Sequence, residues 1–376
     1  MKKLLILIPL LVLVCLPSTA HADLHQDLID QVDEGLSKLD FSEVNNIIGD
    51  YIGDIVQKVK ALIGGNFDSV ESFLQLAIEI GGNSLNQLLP KLVSLFVVMV
   101  LVGLVRKTSG GLISTGTEEI VSFVGKAVMI VTLMSLFIDV FAQVEKVIYQ
   151  LSALSETSMP ILLTLVVANG SSNISAICQP SMVIFSGTIT GIVRNLLLPL
   201  ALSGVAFAFV SSLSHGVKIT KMASFLHNSS LWILGILFTL FSAFTSVQGI
   251  AAATMDGLSY RMAKFTAKNY IPILGGYISD GFDIVVASTS LIKNSFGAVL
   301  LIVVAIMVLK PLISIVSLNL GLQAVTALSE PVVADNCVEM FSGLRKCLTF
   351  LSALVVAVAF MFCILVIVAI SCANGV

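Results

Sequence analysis

Between Leu348 and Ile370 the sequence runs without a single charged side chain, directly after Arg345-Lys346. An α-helix rising ~1.5 Å per residue needs about 20 such residues to cross the hydrocarbon of a bilayer. This stretch is long enough, and it is not alone. Leu88 to Val105 is apolar apart from Lys91 and is followed by Arg106-Lys107. Ile120 to Phe141 is interrupted only by Lys126 and Asp139. Leu196 to Leu213 and Ser230 to Ala252 are further clear runs, and Phe296 to Leu309 and Leu312 to Leu328 flank Lys310-Pro311. With 57% hydrophobic and 11% charged residues, the chain cannot clothe itself in polar surface. A soluble domain carries roughly 25% charge. Lipid offers no hydrogen-bond partners, so each segment must satisfy its own backbone, which selects helices. The expected architecture is all-α: a polytopic transmembrane bundle over residues 89–376 with about six to nine membrane segments.

Two stretches are less regular. In residues 157–193, Met159 to Ala168 is short, a polar Asn169 to Asn173 follows, and an interrupted apolar run reaches Val193. That pattern fits one short span plus a re-entrant piece, or two half-helices. Ile271 to Ile292 is moderately apolar, glycine-rich, and carries Asp280 and Asp283. Before it, Thr254 to Tyr270 reads as an amphipathic helix with Arg261, Lys264 and Lys268 as a basic, membrane-surface face.

The front of the chain differs. Lys2-Lys3, an apolar run from Leu4 to Leu16, Pro17 and Ala20-His21-Ala22 form a signal-peptide layout over residues 1–22. An uncleaved anchor helix is the alternative. Residues 23–88 hold twelve of the 23 acidic residues against Lys38, Lys58 and Lys60. Apolar stripes recur there at helical spacing: Leu24, Leu28, Val32, Leu36, Leu39, then Val44 through Val59, then Phe67 through Ile78. The expectation is a small helical extracytoplasmic region, packed on the membrane body or a partner. Gly49 and Gly53 lie within the second stripe, where close packing or a loose linker helix would each accommodate them. Arg106-Lys107 after the first span agrees with the cytoplasmic excess of basic residues.

Motifs for chemistry are missing from the sequence. There is no phosphate-cradling G-x4-GK[ST] loop, no HExxH and no GxSxG, and the six cysteines show no ligand spacing. The reading is therefore a non-enzyme with no cofactor, no metal and no catalytic residue. No run of like charge points to nucleic acid. Gly187 and Gly191 form a GxxxG pair suited to close helix packing. Asp280 and Asp283, three apart, share one helical face; they line a polar interior or contact a partner, or else sit solvated at the surface.

Gly191-Ile192-Val193-Arg194-Asn195-Leu196 and the run from Tyr260 to Asn294, YRMAKFTAKNYIPILGGYISDGFDIVVASTSLIKN, resemble the stage III sporulation protein AE family of endospore-forming bacteria. The resemblance implies a multi-pass protein made in the mother cell, in the membrane surrounding the forespore. It also implies partners: the other membrane and ATPase products of the same sporulation operon, in a secretion or channel complex sustaining late forespore gene expression. A chain lacking a nucleotide site fits a non-motor member. An autonomous secondary transporter is the competing reading, with the interrupted segments as half-helices around a solute site.

Overall fold

The computed structural model describes residues 34–37, 39–52, 55–63, 88–101, 115–169, 179–213, 220–255, 275–329 and 335–371, with a few isolated positions besides. Every secondary-structure element among them is a helix. We number these α1 (Ser42–Ile52), α2 (Ile55–Ile63), α3 (Leu88–Leu101), α4 (Thr115–Ala168), α5 (Gln179–Ser212), α6 (Thr220–Met255), α7 (Gly275–Ser329) and α8 (Asp335–Ser371). Five of them, α4 to α8, contain stretches long and apolar enough to cross a membrane, and α3 is a shorter apolar helix.

The hub is α7. Its residues are apolar on all sides, as in a helix surrounded by others, and Phe296, Val299, Leu300, Val303, Val304 and Met307 are fully buried. Antiparallel α8 covers one flank: Lys293 reaches Ile370 near the α8 C-terminus, and Asn319 reaches Arg345 near its start. α4 covers another, also antiparallel. Asn169 at its end donates to Ser290 Oγ at 3.0 Å, while Asp139 pairs with Lys91, next to Leu92 against Gly321. α5 and α6 close the far side. Phe185 on α5 stacks against Phe241 on α6 and Phe362 on α8, each 5.9 Å between centroids.

Two expectations require correction. The runs 296–309 and 312–328 are not separate spans; α7 continues unbroken through Lys310 and Pro311. Likewise Met159 to Ala168 is no independent segment but the end of α4, which runs through Pro160. Proline withholds one helix hydrogen bond, but packing against neighbouring helices holds both helices intact, and hydroxyls nearby bond back onto the backbone one turn earlier. Thr164 Oγ1 donates to Pro160 O at 2.8 Å, and Thr157 Oγ1 to Ala153 O at 3.0 Å. At 54 and 55 residues, α4 and α7 each measure about 80 Å, far beyond the ~30 Å hydrocarbon layer. Lys126, an interruption in the apolar run of α4, is buried.

The acidic front segment packs against this bundle. α1 and α2 pack on α7, and Phe41 meets Phe296 at 5.4 Å. Val32 and Leu36 of the first expected stripe, and Val44, Ile48, Ile55 and Val59 of the second, are buried. The second stripe is divided between two helices, and Asn45 Oδ1 accepts from the Ile55 amide at 2.9 Å to cap α2. Asp40 accepts from the Ser42 amide at 2.9 Å and hydroxyl at 2.6 Å, which holds its carboxyl below the usual range. That contact is intact at neutral pH and is lost as pH falls through the lowered value. The third stripe, 67–78, lies outside the described residues, and Gly49 has open space rather than a close neighbour.

Close helix approach falls on glycines other than the motif pair. A Cβ at Gly297 would strike Ile370, at Gly321 would strike Leu92, and at Gly343 would come within 2.9 Å of the Ala208 Cβ. At Gly187 and Gly191 it would meet nothing within 4 Å. Gly297→Leu and Gly343→Leu are therefore expected to overpack the bundle by about 1–3 kcal/mol or more. Thermal unfolding in mild detergent should show both variants melting well below the parent, while Gly187→Leu melts like the parent.

Candidate functional site

A ruler for depth is needed before any polar group can be judged. On α8, charge ends at Arg345-Lys346, and Cys347 to Ile370 is uncharged, about 36 Å of helix at 1.5 Å per residue. The Cys347 thiol donates to Ala201 O of α5 at 3.4 Å, so Ala201 marks one edge of that layer. Phe185, against Phe362, lies well inside it.

Near the edge sit two polar groupings. Arg345 donates from Nε to Asn319 Oδ1 at 3.0 Å and from Nη2 to Gln323 Oε1 at 3.2 Å. Asn319 Nδ2 in turn reaches Thr349 Oγ1 at 3.5 Å. Lys91 and Asp139, each an isolated blemish in its own apolar run, meet at 2.5 Å. The partner of Asp139 thus comes from another helix. At the opposite edge Lys293 is fully buried and donates to Ile370 O at 2.9 Å. A cation there suits the exposed carbonyls at a helix C-terminus.

Between these edges runs a polar seam where α4 meets α5. Glu145, Tyr149, Ser152 and Glu156 recur along one face of α4. Opposite them Ser186, Thr190 and Arg194 recur every four residues along α5. An ordinary α-helix lets a four-residue spacing drift around its axis. Here the turns widen to π-helix at Ile184–Ile189 and again at Val193–Leu197, which offsets the drift. Hydroxyls in this stretch bond back onto the backbone one turn earlier: Ser186 Oγ donates to Met182 O at 2.9 Å, and Thr190 Oγ1 to Ser186 O. Ser152 Oγ meets Thr190 Oγ1 at 3.2 Å across the helices. At the end of the seam Arg194 Nε stands 4.0 Å from Glu145 Oε1, with its guanidinium 5.8 Å from the Tyr149 ring centroid.

The depth of this pair is what makes it unusual. Arg194 lies seven residues along α5 from Ala201, so about 10 Å inside the uncharged layer. Glu156 is deeper still, near the level of Phe185. Yet the Arg194 and Glu145 side chains are 57% and 47% exposed on the single chain. Each charge at mid-helix costs about 2.5–3.5 kcal/mol on insertion scales, so bare lipid is an unfavourable neighbour.

Sequence reading treated Arg194 as a boundary between segments and passed over Glu145 and Tyr149. The available signal was the single arginine within an apolar stretch from Ser181 to Leu213. Gly187 and Gly191 flank the seam, and among the described residues they bring no helix close. Asp280 and Asp283 fall in α7, which begins at Gly275, but their side chains lie outside the described residues. Arg261, Lys264 and Lys268 lie outside them altogether. Among the described residues no cluster of His, Cys, Asp or Glu is arranged to hold a metal ion.

Residues 51–373, which include the whole bundle, match the family model described as stage III sporulation protein AE. The chain belongs to that family. Stage III sporulation protein AE of Bacillus subtilis (strain 168) is 27% identical over 216 residues, 57% of this chain. The match spans about half, 54%, of that relative's length. No solved structure matches the chain. It is thus a multi-pass membrane protein of the sporulation stage III AE family, with both the π-helical seam and the Asp280–Asp283 segment inside the matched region.

The hydroxyl bridge is the part of the seam that holds α4 to α5. Bonds of this kind between membrane helices average about 0.6 kcal/mol. Ser152→Ala and Thr190→Val should each destabilise by about that much, with the double variant little worse than either single one. Detergent or urea unfolding of the four proteins as a double-mutant cycle measures the coupling.

Proposed function

We propose that this chain is a non-enzymatic integral membrane subunit of a sporulation-specific secretion or channel complex between mother cell and forespore, needed for late forespore gene expression. The observation that carries the proposal is the surface chemistry of a family member: ion-paired side chains exposed at hydrocarbon depth on an otherwise apolar bundle. Such a surface is completed by protein or water and not by lipid tails. A subunit of a larger assembly has that completion available. In this reading residues 23–88 lie outside the cytoplasm, with α1 and α2 packed on α7. The partners are the other membrane and ATPase products of the same sporulation operon. Energy input comes from the ATPase, since this sequence has no nucleotide loop.

Affinity purification from sporulating cells in mild detergent tests the assignment. Recovery of the operon partners, the ATPase among them, is the expected result. A lone protein that moves a small solute in liposomes would instead establish an autonomous transporter. Asp280 and Asp283 provide a site-level test. Converting both to asparagine keeps their shape and removes their charge, so insertion and abundance should stay normal while sporulation fails after engulfment. Wild-type spore counts would remove the pair from the mechanism.

A further inference from the structure

We infer that the α4–α5 seam is a self-association surface, on which a second copy of this chain sets its own Glu145 against Arg194 and its own Arg194 against Glu145. The starting point is incomplete pairing. Arg194 carries five N–H donors, yet among the described residues it has one carboxylate at 4.0 Å and the face of Tyr149. Both charged groups remain about half exposed within the uncharged layer. A surface of this kind is stable in a membrane only when something polar covers it.

Geometry selects what covers it. Copies of one chain insert in the same orientation, so any symmetry axis relating them lies along the membrane normal and preserves depth. Arg194 and Glu145 sit at one depth on one face, opposite in sign. A two-fold rotation therefore brings each beside its complement on the partner, with no further residues required. A different protein would have to supply an arrangement of its own at the matching depth; a second copy has it by construction. Beside the charges, Gly187 and Gly191 leave open space where a Cβ would meet nothing within 4 Å, room for an opposing helix to come close.

This inference goes beyond the proposed complex and is tested on the full chain alone in a bilayer, so either can fail without the other. The decisive experiment is a mixed charge exchange, with self-association read by single-molecule photobleaching in nanodiscs or by co-purification of two tags. Arg194→Glu alone and Glu145→Arg alone should each weaken self-association by roughly tenfold or more. Mixing the two variants should restore it. In the mixed pair every contact between copies is again opposite in sign, whereas the contact within each copy stays repulsive. A purely structural pair within one chain would not recover on mixing, and that result would overturn the inference. A second readout does not depend on how the charge variants fold. With the native cysteines replaced by alanine, Gly187→Cys should cross-link two copies, and Trp232→Cys, on the exposed face of α6, should not. Labelling of Gly187→Cys by a membrane-impermeant maleimide without cross-linking would show that the seam lines water, and would equally overturn it.

Discussion

A bilayer supplies no partner for a polar group, and the organisation of this protein follows from that one constraint. It makes every described element a helix. It goes with the most fully buried span, α7, at the centre. It also leaves each charged side chain with three options: an end of the layer, a neighbouring helix, or another molecule. Lys91 and Asp139 take the second near an edge, and Lys293 takes it at the α8 C-terminus. Arg194 and Glu145 take it only in part, and so point outward from the fold towards function.

The two long helices set a second demand. Helices of 54 and 55 residues exceed a ~30 Å hydrocarbon layer by a wide margin, and their apolar ends need cover outside it. The short helices α1 and α2 pack on α7 and bury Val44, Ile48, Ile55 and Val59, which explains why an acidic segment carries such regular apolar stripes. Sixty-odd residues make a marginal core by themselves. Packed on α7, they share one.

Much of this was legible in the residues. Leu348 to Ile370 announces a span because nothing in it is polar enough to stop one, and the stripes of the front segment announce helices by their period. What stayed hidden depends on residues far apart in sequence. Pro160 and Pro311 look like breaks, because local propensity argues for ending a helix there; burial against neighbouring helices overrides it. The GxxxG pair drew attention through its spacing, whereas contact is made at Gly297, Gly321 and Gly343, where a facing side chain and not a motif requires the missing Cβ. Arg194 and Glu145 are 49 positions apart, and no local pattern joins them. The π-helical turns that bring Thr190 and Arg194 onto the α4 side leave no signature in composition.

The depth of the seam is decisive, since an ion pair at the aqueous surface would need neither a partner copy nor a complex. Spin labels placed singly at Tyr149 and Lys346, in chain reconstituted into lipid nanodiscs, measure that depth by comparing collisions with oxygen and with a water-soluble relaxation agent. The Lys346 label should be the more accessible to the water-soluble agent, and the Tyr149 label should be shielded from it, reading several ångströms deeper. Equal access of that agent to both positions would place the seam in water and contradict the account.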